Sequence, residues 1–237
     1  MVEMIFLKFV IVWGGLLITA WPVNNFVENL VLKLPPKSLL RASDTVVHGL
    51  IGGFSFWLTC HLCPDLVLDV SCLFSSFGDG CGRKNKRSEF SYAPLASMFN
   101  FAVAFMISCI VDLDHVFQDF IQMINGGVRV PWERGVLHLS LPPLILTLIL
   151  YISAAIFHYI WCLKFGTLII VCIFSHHVRD GIHHGLWLHP LGITPKLPQW
   201  LYIFITQFLP LVTSGVVSIL LYRIKSKLIL TNEIYIV

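Results

Sequence analysis

Charge is what this chain has least of. Asp, Glu, Lys and Arg make up 12% of its 237 residues, against about 25% in an ordinary soluble domain. With 57% of its positions apolar, the chain has too few polar side chains to cover a soluble core, and a soluble globular domain is excluded. The net charge of +3 is small and scattered, so no basic footprint for nucleic acid is present. There is no internal repeat, no glycine-rich phosphate loop and no nucleophile elbow, which removes the nucleotide-binding and serine-hydrolase readings. Paired cysteines are also scarce. Cys60-His61-Leu62-Cys63 has metal-ligand spacing, but a second close pair is missing, so a zinc knuckle is not expected. Cys109, Cys162 and Cys172 lie in apolar runs and read as packing residues.

What is present is a series of apolar segments of membrane length. Segment 4–21 is a first span closed by Pro22; it also suits a signal peptide, and the retained span is favoured because membrane protein follows it. A mixed connector with Pro35-Pro36 leads to a second helix, which opens on Ser43-Asp44 as an N-cap and runs to Cys63. Residues 74–92 are glycine- and charge-rich and are expected to form a flexible basic loop on the cytosolic side. The third span covers 93–111. The fourth opens near Arg134 and His138, carries Pro142-Pro143 in its first turns, and reaches Leu163. The fifth has a clean apolar part worth only about 21 Å of helix, against a hydrocarbon core of about 30 Å. Its helix must therefore continue through His176 and Asp180. The sixth covers 198–222 and precedes a short basic tail, 223–237, with Arg223, Lys225 and Lys227. The expected fold is all-α: one transmembrane domain over 1–237, a polytopic integral membrane bundle of five to six transmembrane helices whose partner is the lipid bilayer.

The scarce polar residues are clustered. The stretch 175–190, SHHVRDGIHHGLWLHP, holds five of the ten histidines, and Gly185 and Pro190 end its helix. His176, Asp180 and His183 follow one another at steps of four and three, which places them on one helical face. Imidazole and carboxylate converging on one face supply the N and O donors that a divalent metal takes. Trp187 and His189 read instead as interfacial residues. Asp44 and His48 share a face at i, i+4. Asp112, Asp114 and His115 end the third span as a dense anionic group, which must be neutralised by metal, proton or arginine. Acidic groups there also oppose the helix macrodipole, so an ordinary solvated helix end is the poorer reading. His158 stands apart from these clusters and reads as structural. Threading six spans puts Asp44/His48, Asp112/Asp114/His115, Arg134/His138 and His176/Asp180 at one face of the bilayer, as a single polar site. Basic residues are slightly more numerous on the opposite face, which turns the site toward lumen or exterior.

The motifs DTVVHGLIG, VDLDH, RGVLHLS and SHHVRDGIHHGLWLHPLGITPKLPQWLY resemble those of the transmembrane protein 267 family, from about Ala42 onward. More distantly, the order His, Asp-x-Asp-His, Arg-Gly-x-x-His, Ser-His-x-x-x-Asp is similar to the bacterial YdjM-like membrane-bound metal-dependent hydrolases. That chain of resemblance implies a metal site at His48, Asp112, Asp114, His115, His138, His176 and Asp180. It implies one or two divalent ions (zinc, manganese or magnesium) and hydrolysis of a membrane-proximal ester or phosphoester, with a lipid as the possible substrate. Asp114 is then the expected general base, and Arg134 or Arg179 the orienting cation for an anionic headgroup. The alternatives are an ion- or proton-handling transporter and a non-catalytic scaffold with a structural metal or salt-bridge cluster. A transporter more usually sets its polar groups at the midplane, where this chain has few.

Overall fold

A segment facing lipid must satisfy its own backbone, and a helix does so without a neighbour. The computed structural model describes residues 13–14, 37–68, 89–113, 124 and 136–234. Among them are five α-helices, which we number α1 (Lys37–Leu62), α2 (Glu89–Ile110), α3 (Leu141–Phe157), α4 (Ile160–His184) and α5 (Gln199–Ile234). Short 3-10 turns lie at Pro64–Leu66 and Val136–His138. Three segments, Asp44–Leu62, Ile160–His184 and Gln199–Lys227, are long and apolar enough to cross a membrane. Leu95–Ile110 and Leu141–Phe157 are shorter apolar helices. The protein is an all-α membrane bundle.

Two apolar clusters hold the helices together. The larger joins Phe56 and Cys60 of α1, Ala104 of α2, Val171 and Cys172 of α4, and Leu221 and Ile224 of α5. The smaller, Val47, Ile51, Val178 and Tyr202, underlies the polar end of the bundle. Large apolar side chains left outside, such as Ile145, Leu148 and Ile152 on α3 and Phe204, Val212 and Ile219 on α5, suit contact with lipid. The α1–α2 seam depends on a missing side chain. A Cβ at Gly52 would stand 1.8 Å from Ser108 Oγ, so only glycine lets these helices approach so closely.

Several boundaries differ from those expected. α1 begins at Lys37 rather than at an N-cap on Ser43-Asp44; Leu39 and Leu40 carry its pattern back toward Pro36. α2 begins at Glu89, so the last positions of the expected basic loop are helical, and the rest of that loop lies outside the described residues. α3 stops at Phe157, not Leu163, because His158 takes a left-handed conformation, φ 62°, a common helix ending. Its apolar neighbours on both sides conceal the break. α5 continues past Tyr222 to Ile234, so Arg223, Lys225 and Lys227 are helical. Of the first apolar segment, only Trp13 and Gly14 are described, and they are helical.

The end of the bundle away from the polar cluster is fastened separately. Asp65 and Lys225 pair at 2.9 Å. Asn100 accepts from the Leu68 backbone at 2.8 Å, and Lys164 donates to the Val67 carbonyl at 2.6 Å. Cys60 and Cys63 are buried here, where Cys60 contacts Asn100 rather than completing a metal set.

Candidate metal centre

Four elements deliver the site. The early turns of α1 carry Asp44 and His48. α2 ends at Ile110, and the following turn, with Asp112 N–H donating to the Cys109 carbonyl at 3.1 Å, brings Asp112 inward. The 3-10 turn Val136–His138 presents His138, and the last turns of α4 supply His176 and Asp180.

The loop after α4 braces this arrangement. Gly185 ends the helix at φ 77°, where a Cβ would meet the Thr194 carbonyl at 1.9 Å, so the position admits only glycine. The chain then doubles back through a Trp187–Ile193 bridge. Ser140 N–H donates to the Trp187 carbonyl at 2.9 Å and Leu197 N–H to the Gly181 carbonyl at 2.7 Å. The segment holding His138 is thereby tied to the end of α4.

The donor atoms face one another. His176 Nε2 lies 3.5 Å from Asp112 Oδ1 and 3.6 Å from Asp180 Oδ2. His138 Nε2 lies 3.5 Å from Asp180 Oδ2 and 3.9 Å from Asp112 Oδ1. His48 Nε2 stands 3.2 Å from Asp180 Oδ1 and 3.8 Å from Asp44 Oδ2. The His48 and His176 rings stack at 3.7 Å between centroids. The imidazoles of His48, His138 and His176 are buried, whereas Asp112 and Asp180 keep 12% and 18% exposure. The site thus opens on its carboxylate side.

The hydrogen bonding of His176 decides what the site can do. Its Nδ1 lies 2.9 Å from the Ser108 main-chain carbonyl, which can only accept, so Nδ1 carries the hydrogen. In the neutral ring Nε2 then holds a lone pair, yet it is buried without a hydrogen bond and faces two carboxylates that are also acceptors. Three acceptors converging in a buried place need either a proton on Nε2 or a metal ion between them. Asp112 Oδ2 and His48 Nδ1 are buried without hydrogen-bond partners as well. Among the described residues, His48–Asp112–His176 and His138–His176–Asp180 are the groups whose donor atoms come close enough to share an ion.

The structure therefore gathers His48, Asp112, His138, His176 and Asp180 from the expected set. Asp114, His115 and Arg134 lie outside the described residues. His183 does not join its expected helical neighbours: it is exposed, like His184 and His189, because the last turn of α4 rises past the cluster before Gly185. Arg179 is corrected. It is 1% exposed, ion-paired with Asp44 and bonded to His48 Nε2 at 2.8 Å, so it does not face outward to orient a headgroup. Two participants were missed. The Ser108 carbonyl has no side-chain signature. His177 is buried with Nε2 2.9 Å from the Leu137 carbonyl, holding the 3-10 turn; its place beside His176 was the available signal.

Comparison with known proteins places the chain. Over 178 residues it is 35% identical to transmembrane protein 267 of Xenopus laevis, covering 74% of this chain and 68% of that protein. Over 169 residues it is 33% identical to the Danio rerio protein of that name, covering 70% and 62%, and over 173 residues 31% identical to that of Mus musculus, covering 72% and 66%. These names state no activity. No family model and no solved structure matches the chain. On the extent and identity of these alignments, the chain belongs to the transmembrane protein 267 family.

Proposed function

We propose that the polar end of the bundle is a divalent-metal centre that hydrolyses a membrane-proximal ester or phosphoester. The observation that carries the metal is His176 Nε2, a buried lone pair confronting two carboxylate oxygens at 3.5 and 3.6 Å. A proton shared between such groups would draw them to about 2.7–2.9 Å, whereas a cation of ligand-bond size fits the wider spacing. When bound, a divalent ion supplies Lewis acidity and makes water nucleophilic near neutral pH.

The chain's own residues supply the remainder. The imidazoles, fixed by Ser108 and by packing, exclude water from the inner side, and the partly exposed carboxylates leave the outer side reachable. Asp114, beside Asp112 in sequence, is assigned as proton acceptor, and Arg134 as the cation that orients an anionic headgroup through its planar fork. The position of the cluster at helix ends favours a substrate at the membrane surface over an ion in transit.

A second reading has one observation in its favour. The ligands come from four elements, so an ion there would also tie the helix ends together as a purely structural centre. Metal analysis of purified wild type beside His176→Ala tests the centre; loss of metal is expected in the variant. Asp114→Asn tests the chemistry. Hydrolysis predicts retained fold and metal with lost turnover of a lipid ester or phosphoester. A metal-loaded wild type that turns over no lipid, and whose ligand variants lose only thermal stability, leaves the structural reading standing.

A further inference from the structure

Two groups able to hold an ion share His176, and Arg179 separates them. A guanidinium only donates, and Arg179 Nη1 stands 2.8 Å from His48 Nε2. That nitrogen gives its lone pair to the arginine, so the neutral His48 ring carries its hydrogen on Nδ1. Neither nitrogen keeps a lone pair for a metal.

We infer that a single ion is held by His138, His176, Asp112 and Asp180, and that His48 is a positioning residue that carries Arg179. This rests on the metal reading above. His138, His176 and Asp180 form one close group, and Asp112 reaches it through His176. One oxygen of each carboxylate faces both imidazoles: Asp180 Oδ2 at 3.5 and 3.6 Å, Asp112 Oδ1 at 3.9 and 3.5 Å. Ligands each about 2.0–2.2 Å from one tetrahedral ion stand about 3.3–3.6 Å apart. Three of the four separations fall in that range, and His138–Asp112 is the wide one. The other oxygen of Asp180, Oδ1, turns away to His48.

Charge is compatible with one ion: Asp44 is matched by Arg179, and one divalent ion balances the Asp112 and Asp180 carboxylates. Two imidazoles with two carboxylates suit zinc or manganese better than magnesium, which prefers oxygen and retained water. An ion that takes six ligands keeps two positions for water and substrate beside these four, whereas a tetrahedral ion is filled by them.

Zinc titrated into the whole purified chain in detergent, with X-ray absorption to count imidazole ligands, tests the assignment. The expected result is one zinc per chain, two imidazoles, and loss of binding in His138→Gln and in His176→Gln. His48→Gln, whose amide oxygen still accepts from Arg179, should keep one zinc and the two-imidazole spectrum. Its affinity should fall by no more than about 10–100-fold, as for an outer partner. Three imidazoles in wild type, two zinc ions per chain, or abolished binding in folded His48→Gln would each overturn the assignment while leaving a metal centre in place. Wild type that takes up no zinc, manganese or magnesium would remove the metal reading with it. Should His48→Gln fail to fold, the wild-type imidazole count decides alone.

Discussion

His176 Nδ1 and the Ser108 main-chain carbonyl oxygen lie 2.9 Å apart across the α2–α4 contact. This bond fixes Nδ1 of His176 as a donor and turns Nε2 toward the two aspartates, as an outer partner does for a histidine that ligates a metal. Ser108 is itself placed by the absence of a side chain at Gly52, so a packing detail between α1 and α2 reaches the site on α4.

Gly52→Ala should therefore act at a distance. The added methyl has to push Ser108 aside, which is expected to destabilise the bundle by about 1–3 kcal/mol. It should also weaken metal binding by at least about tenfold, as loss of an outer partner does. Thermal unfolding in detergent and metal titration would measure both. Gly215→Ala, where a Cβ meets nothing within 4 Å, is the control and should change neither. Equal effects from the two variants would sink the argument.

Arg179 and Asp44 should not respond alike to neutralisation. Asp44→Asn takes the Asp44 charge away from a guanidinium that is 1% exposed, and weakening a buried pair from the carboxylate side is expected to cost up to about 3–5 kcal/mol. Arg179→Met leaves a carboxylate that is 48% exposed, where water compensates, so the loss should be nearer about 1 kcal/mol. Denaturation midpoints of the two variants decide this. The reverse order would mean that Arg179 is balanced by something other than Asp44.

Topology is open to labelling. In a background free of native cysteines, Leu113→Cys, Leu137→Cys and His184→Cys should all react with a membrane-impermeant maleimide from one side, because all three positions are exposed at the polar end. Lys225→Cys, paired with Asp65 at the other end, should react only from the opposite side. Any one of the first three labelling together with position 225 contradicts a single polar end.

Metal should stabilise the fold by mass action. At a free concentration of one hundred times its Kd, a ligand that binds only the native state adds about 2.7 kcal/mol. Addition of zinc or manganese to chelator-treated protein should raise the unfolding midpoint of wild type and leave that of His176→Gln unmoved. An equal rise in both proteins would point to nonspecific ion effects.

Much of the site was legible because topology and helical spacing are read from the order of residues. His48, Asp112, His138 and His176/Asp180 each sit at alternate span ends, and alternate ends return to one side. The i, i+4 pairs Asp44/His48 and His176/Asp180 needed only the helical period. Arg179 was not legible, because the same period says nothing of which neighbour covers a face; its burial depends on α1 packing across it. His183 satisfied the spacing but lies beyond the end of the packed surface. The starts of α1 and α2 and the end of α3 were missed because residues compatible with helix continue through each boundary, and the break at His158 is a backbone event without a compositional signal.

The two-residue link His158-Tyr159 makes α3 and α4 a measuring device. His138 precedes an outbound helix of 17 residues, and His176 stands almost the same number of residues along the return helix that begins at Ile160. At 1.5 Å of rise per residue each leg covers about 25 Å, so the two histidines come back to one depth because the legs are equal. One residue inserted within Leu141–Phe157 would lengthen one leg by about 1.5 Å and turn its end through about 100°. The two imidazoles would then lose their common level with every side chain of the cluster still present, whereas the same insertion in the loop after His184 would leave both legs their proper length.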